Sequence, residues 1–362
     1  MLKLENISLL QFKNYPTKKI GFSERIVGFC GKNEIGKTNL LDAIHYLSFG
    51  KSYFHRTDTQ SVMKGESGFR IEGEFNKNGQ SENCFCILRE NGKKEIGINA
   101  IPYEKLSKHI GHYPCVVIAP DDSILITGES KERRTFIDQL ISQIDEQYLK
   151  HLISYTKLIQ QRNALLKSMA ETQQKDEELL LVIDKQLEEP ALYIVTKRKE
   201  LFIEFSKKVI AIYHEIAQGI NNENIEILYQ TNLEGNNYGS LLKLNRSKDL
   251  FSMRTNIGPH RDELEIKLNE QPFKTSASQG QRKSLLFALK LAELELLKEH
   301  KQFPPLLLLD DVFEKLDESR IGNLLQKVCL ENEGQVFITD TNSKRLSQQL
   351  KKINVAYQII DL

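Results

Sequence analysis

The sequence predicts an α/β fold: a mixed sheet with an antiparallel β-layer beside it, interrupted by an inserted helical lobe. Three observations predict it. An apolar strand ending at Cys30 and an apolar helix from about Asn39 to Phe49 flank a G-x-x-x-x-G-K-[ST] run, Gly31 to Thr38. Four leucines, Leu306 to Leu309, end in Asp310-Asp311, as in a strand buried on both faces. Between these two segments, apolar residues recur at i, i+3 and i+4 from Phe136 to Leu152, and a second helical tract follows.

The chain of 362 residues is long enough for one large core or two smaller ones. Apolar residues make up 40% and charged residues 27%, values of a soluble globular protein. Fifty Lys+Arg face 49 Asp+Glu, a net charge of +1, so any nucleic-acid surface must come from uneven distribution of charge. The N-terminal residues carry no signal-peptide apolar region, and no apolar run approaches the ~20 residues that span a bilayer. The five cysteines include no C-x-x-C pair. Cys84 and Cys86 alternate onto one face of a strand, and buried thiols in a reducing cytoplasm are expected. The eight histidines show no metal-ligand spacing.

In order, residues 2–30 read as two strands leading into the glycine-bounded turn. Gly50 to Arg56 is a basic-aromatic turn. Residues 68–100 alternate as an antiparallel meander, with Asn91-Gly92 at one turn. Pro114 to Asp122 is another buried strand ending in acids. Lys131 opens one long helical tract. Residues 170–176 form a polar connector, and the second tract runs from about Glu177 to Gly219, where Pro190 should break or kink it or start a new helix. These arms are either ordinary packing helices or a dedicated binding lobe. From Asn224 strands return, then a helix from about Tyr238 to Phe251 and a hairpin turn at Asn269 to Phe273. A long apolar helix follows Ser278, and strands at Val336–Thr339 and Tyr357–Asp361 flank a last helix.

The turn from Gly31 to Thr38 is a phosphate cradle. Gly31 and Gly36 let backbone N–H groups point inward at an anion, and the following helix adds the positive end of its dipole. Lys37 is placed to reach the β- and γ-phosphates, and Thr38 to offer its hydroxyl to Mg²⁺. Phosphate-binding candidates are Gly31, Lys32, Asn33, Gly36, Lys37, Thr38 and Asn39. Ligands of α/β sheets sit at the carboxyl ends of the strands, where Asp310 and Asp311 arrive. Asp310 would hold Mg²⁺, through water, and Asp311 would orient the attacking water. Ser278 is placed as the N-cap of the next helix, a second helix N-terminus suited to phosphate. Two copies arranged head to tail would let both helix N-termini reach one γ-phosphate.

Ser278-Gln279-Gly280-Gln281 resembles the signature motif of ABC-type ATPases. Gly31–Thr38, Asp310-Asp311 and the D-loop-like Glu314-Lys315-Leu316-Asp317 complete that set in the expected order. Within this class the chain resembles the RecF family of bacterial recombination mediators, relatives of SMC and Rad-type repair ATPases. The likeness covers nearly the whole chain. It rests on Asn14-Tyr15, Gly50-Lys51-Ser52, Pro120-Asp121, Arg133 to Asp138, Gly258 to Asp262 and Ser278 to Arg282, and on the shortness of the helical insert.

The resemblance implies an ABC-type ATPase domain in residues 1–125 and 222–362 and an inserted helical lobe in 126–221. It implies a cytoplasmic, weak, DNA-stimulated ATPase that dimerises on ATP and Mg²⁺. Its partners would be double-stranded and gapped DNA, with RecO and RecR in the loading of RecA, and no membrane. Lys37 and Asp311 would be catalytic, Thr38 and Asp310 would hold Mg²⁺, and Ser278, Gln279, Gly280 and Gln281 would face ATP on the other protomer. Asp121 and Asp122 lie where the family has a Q-loop-like segment. Thr339-Asp340-Thr341 stands where other ABC ATPases carry a switch histidine.

Two departures stand out. Glu34 occupies a position that is usually glycine, where a carboxylate repels phosphate unless it points to solvent. Asp311 replaces the glutamate of transporter-type ATPases and reaches less far toward water, so slow turnover is expected. Candidate DNA contacts are Lys51, Arg56, Arg133, Arg134, Lys197, Arg198, Lys199, Lys207 and Lys208. A transporter-coupled ATPase subunit and a small-molecule P-loop kinase are the alternatives. The arms and Gly258–Asp262 argue against the first, and the kinase has no use for Ser278–Gln281.

Overall fold

The computed structural model describes residues 1–172, 176–217, 223–311 and 318–362. In chain order the strands and helices begin with β1 (Leu2–Phe12), β2 (Tyr15–Gly21), β3 (Ile26–Cys30), α1 (Lys37–Phe49), β4 (Phe69–Lys77), β5 (Gln80–Leu88), β6 (Lys94–Ile98), β7 (Ile101–Pro102) and β8 (Cys115–Ile118). Next come α2 (Ile124–Thr127), α3 (Ser130–Ile144), α4 (Glu146–Thr172), α5 (Glu177–Ala217), β9 (Ile225–Gln230), α6 (Tyr238–Leu244), α7 (Arg246–Ser252), β10 (Glu263–Leu268), β11 (Gln271–Pro272) and α8 (Phe273–Ser276). The chain ends with α9 (Gln279–Lys301), β12 (Leu306–Leu309), α10 (Glu318–Leu325), β13 (Val336–Asp340), α11 (Ser343–Lys352) and β14 (Tyr357–Asp361).

The chain divides into two units, Met1–Asp122 with Phe287–Leu362, and Ser123–Leu286. Among the described residues, the first unit holds a six-stranded antiparallel sheet in the order β2-β1-β4-β5-β6-β7 and a five-stranded parallel sheet in the order β14-β3-β13-β12-β8. Three strands, not two, precede the phosphate loop, because the segment at Lys13 and Asn14 turns β1 back into β2. Helix α1 packs on strands of both sheets, and Leu41, Ile44 and Leu47 share one core with Ile7, Ile71, Phe29 and Phe337. Each such fully buried side chain contributes about 1.5–3 kcal/mol. Leu306 to Leu309 are wholly buried between β13 and β8, which accounts for their uniform apolar run.

In the second unit, α4 and α5 pack side by side, and β9, β10 and β11 form a separate antiparallel sheet. This second unit, Ser123–Leu286, is wider than the expected lobe of 126–221. The strands after residue 224 pair with one another and pack against α3 and α5, which places them in this unit. The expected single tract from Lys131 is two helices. Asp145 leaves helical geometry, and its carboxylate accepts the N–H groups of Gln147 and Tyr148 at 2.8 and 3.0 Å, starting α4 afresh. Helix α5 runs continuously through Pro190. Leu187, Ala191 and Ile194 beside it are fully buried, which offsets a proline cost of about 3 kcal/mol. The expected helix over 238–251 is likewise split at Asn245 into α6 and α7. The expected D-loop-like Glu314–Asp317 and part of the connector, 173–175, lie outside the described residues. All five cysteines are buried.

Candidate nucleotide site

β3 delivers the chain to Gly31 at the carboxyl end of the parallel sheet, and the turn closes at Gly36, φ +113°, before α1 begins. A side chain at Gly36 would strike Asn14 and Tyr15, with the nearest atoms 2.5 and 2.6 Å from its Cβ. Those two residues brace the loop. Tyr15 donates its hydroxyl to the Gly36 carbonyl at 3.1 Å, and Asn14 donates its amide to the Ile35 carbonyl at 2.9 Å. Burial pushes the Tyr15 phenol up to about 12, so it remains a donor. Asn39 is directed by its amide to Asn14 Oδ1, at 2.7 Å. The sequence marks Asn14-Tyr15 only as a family likeness. Their bracing role depends on the β1–β2 turn meeting the loop, which no local pattern records.

Lys37 is 4% exposed, and its ammonium donates to the carbonyls of Gly31 and Lys32, both at 3.0 Å. Lys32, Asn33 and Glu34 are exposed. Glu34 sits at φ +68°, a conformation that favours glycine, and its carboxylate stands in solvent.

Asp310, at the end of β12, accepts the Thr38 hydroxyl at 2.9 and 3.1 Å and the Thr339 hydroxyl at 2.9 Å. Burial pushes its carboxyl up to about 6, against the two hydroxyl hydrogen bonds, which favour the ionised form. Asp311 sits at φ +43°, and its N–H donates to Thr339 Oγ1 at 2.8 Å. Thr339 therefore orients both aspartates from the neighbouring strand β13. The structure thus brings Lys37, Thr38, Asp310, Asp311 and Thr339 together. The Thr38 hydroxyl and the Asp310 carboxylate are hard oxygen donors in contact, a set suited to Mg²⁺.

Ser278 to Gln281 belong to the second unit. Ser278 and Gln279 are exposed, and Gly280 and Gln281 are half-buried. Ser278 Oγ accepts the Gln281 N–H at 3.3 Å, and Gln281 Oε1 accepts the Ser278 N–H at 2.6 Å, a reciprocal cap on α9.

The expected DNA contacts separate into groups. Arg198 is corrected. It is 3% exposed and paired with Asp138 at 2.8 Å and Asp262 at 3.1 Å, so it cannot touch a phosphate backbone. Arg133 and Arg134 are half-buried, and their guanidinium groups bind the carbonyls of Leu264 and Asp262. Lys197 and Lys199 are paired with Glu200 and Glu234 on the surface. Lys51 and Arg56 are exposed. The segment Gly258 to Asp262 is a structural knot. His260 donates to the Thr255 carbonyl and accepts from Tyr155, and burial pushes its imidazole down to about 4, which keeps it neutral. Asp122 is likewise structural, buried against Tyr53 and Lys290.

No family model matches the chain. The DNA replication and repair protein RecF of Flavobacterium johnsoniae is 40% identical over 361 residues, covering 100% of both chains. The RecF protein of Bacteroides thetaiotaomicron is 40% identical over 98% of this chain and 95% of its own length. A structure of "the recombination mediator protein RecF-ATP in RecFOR pathway" superposes with a TM-score of 0.87 at 31% identity, over 94% of this chain and 92% of that one. The SMC head domain of Pyrococcus furiosus, at 17% identity and a TM-score of 0.54 over 96% and 92% of the two chains, shares the fold alone. On these likenesses, carried over the full length of the chain, it belongs to the RecF family of DNA replication and repair proteins.

Proposed function

We propose that this chain is an ATP-gated DNA clamp of recombinational repair in the cytoplasm. Two copies close on ATP and Mg²⁺, grip double-stranded DNA beside a single-strand gap and, with RecO and RecR, help load RecA. The observation that carries the reading is the contact of Thr38 Oγ1 with Asp310 at 2.9 Å, which joins the phosphate loop to the acidic end of β12. The family membership and the solved RecF–ATP relatives support it.

Backbone N–H groups of residues 31–38 would cradle the β-phosphate, and Lys37 would neutralise developing charge there. Thr38 and Asp310 would hold Mg²⁺, which supplies charge neutralisation between the phosphates when bound. Ser278 of a second copy would donate to the γ-phosphate. Asp311 would orient the attacking water with a short side chain, and Thr339 supplies no base. Hydrolysis is therefore slow and resets the clamp more than it drives motion.

Sedimentation with and without ATP and duplex DNA tests this in Lys37→Met and Ser278→Arg. Both variants should remain folded monomers that lose ATP-driven dimerisation, and Lys37→Met should also weaken ATP binding at least tenfold. Wild-type DNA binding should fall steeply with salt, as phosphate contacts require. Dimerisation that persists in either variant, or a flat salt dependence, overturns the clamp.

A further inference from the structure

Gln281 does more than cap α9. While its Oε1 holds the Ser278 N–H, its Nε2 donates to Glu223 Oε1 at 2.6 Å. Glu223, just before β9, is 9% exposed. Its other oxygen accepts the hydroxyl of Tyr213, a fully buried residue near the C-terminal end of α5. A buried carboxylate is costly unless its oxygens are satisfied, and here each oxygen meets a donor from a different element. Tyr213 also lies edge-on to Phe273, ring centroids 6.4 Å apart, and Phe273 opens the α8 turn that leads into Ser278. On the other side of that turn, Arg282 donates to the Lys274 carbonyl at 2.9 Å.

We propose that Glu223 is a positioning residue for the γ-phosphate contact: with Tyr213 it fixes Gln281, and through Gln281 the Ser278 turn, to the end of helix α5. The proposal rests on the reading of Ser278 as the residue that meets the nucleoside triphosphate of a second copy. The geometry explains why a carboxylate stands there. Gln281 must present its Oε1 to the Ser278 N–H, so its amide hydrogens face the other way and need an acceptor. Glu223 provides that acceptor and fixes the orientation of the amide. Since Ser278 Oγ accepts from the Gln281 N–H, its own hydroxyl hydrogen is left to be donated outward. Releasing Gln281 would undo the reciprocal cap and the direction of that hydroxyl. A shift of the end of α5 would be felt at the same turn, so the arm and the phosphate sensor are mechanically joined.

The test uses the full chain with ATP and Mg²⁺. A fluorescent ATP analogue reports nucleotide binding to the monomer, sedimentation reports ATP-driven dimerisation, and thermal unfolding reports stability. Glu223→Ala should keep monomer ATP affinity within about twofold and weaken ATP-driven dimerisation about tenfold, and adding Gln281→Ala should cost little more, since both act through one contact. Tyr213→Phe keeps the ring against Phe273 and removes only the hydroxyl; it should weaken dimerisation about threefold with little change in melting temperature, and it serves if Glu223→Ala folds poorly. Wild-type dimerisation in Glu223→Ala, or in Tyr213→Phe where the alanine variant does not fold, overturns the positioning role provided that Ser278→Arg still abolishes the dimer. If Ser278→Arg itself dimerises normally, it is the trans reading of Ser278 that has failed.

Discussion

Glu34 shows how one residue can break a local rule at little cost to the site. Its place in the loop calls for φ > 0, and a glutamate there carries strain of order 1 kcal/mol that glycine would not. Because the side chain is exposed, the strain lies in the backbone and the charge is solvated. Glu34→Gly should therefore raise stability by about 0.5–1 kcal/mol in thermal unfolding and leave ATP affinity within about twofold by calorimetry. A tightening of ten times or more would mean that the carboxylate faces the phosphates. At this scale the sequence was most readable where chemistry and spacing are local. Lys37, Thr38, Asp310 and Asp311 announce themselves by motif, whereas Asn14, Tyr15 and Glu223 act through contacts between distant segments and carry no periodic or spacing signal. Arg198 misled for the same reason: a run of three cations in sequence resembles a basic patch, yet one of them points inward.

The elements were legible in kind and less so in their ends. The apolar stripe from Phe136 to Leu152 passes across Asp145 in phase, so periodicity alone could not reveal the break that the Asp145 cap creates. At Pro190 the helix neither breaks nor restarts, since packing outweighs a local penalty that sequence rules count in full. Helices α3 and α5 and the Gly258–Asp262 segment are held together by the ion cluster of Arg198, Asp138 and Asp262, with the hydroxyls of Tyr148 and Tyr229 completing it. Arg198→Ala would leave two carboxylates without their cation. It should lower stability by about 3–5 kcal/mol in urea unfolding. Whatever fraction stays folded should keep the wild-type salt dependence of DNA binding, because this guanidinium does not reach solvent. A shallower slope without loss of stability would restore it as a DNA contact.

On the scale of the whole molecule, an α/β sheet with the glycine-bounded loop at its carboxyl end followed from sequence, but that this sheet is parallel throughout its five strands did not. Strands β9 and β10 look like any other strands until their pairing partners are known. The first unit also encloses a charged cluster. Lys290 lies 3.8 Å from Asp122 and 3.7 Å from Glu293, all buried, with the Tyr53 hydroxyl between. Burial pushes the Glu293 carboxyl up to about 7, Lys290 pulling the other way. The folded protein therefore keeps this proton at pH values where the unfolded chain, with its ordinary value of 4.5, has released it. The stability so gained is complete below 4.5 and is lost as pH rises toward 7, on the order of 3 kcal/mol in all. Glu293→Gln should remove that loss, so in urea unfolding its advantage over the wild type should grow by most of this amount between pH 5 and pH 8. A difference that stays constant with pH would rule the cluster out as its source.

The same ion pair joins the two residues that border the lobe in sequence, Asp122 just before it and Lys290 just after. The ends of an excursion of more than a hundred and fifty residues thus return to neighbouring points. In evolutionary terms, such a junction lets a lineage lengthen, shorten or exchange what is spliced between the two points without redrawing the nucleotide fold around them.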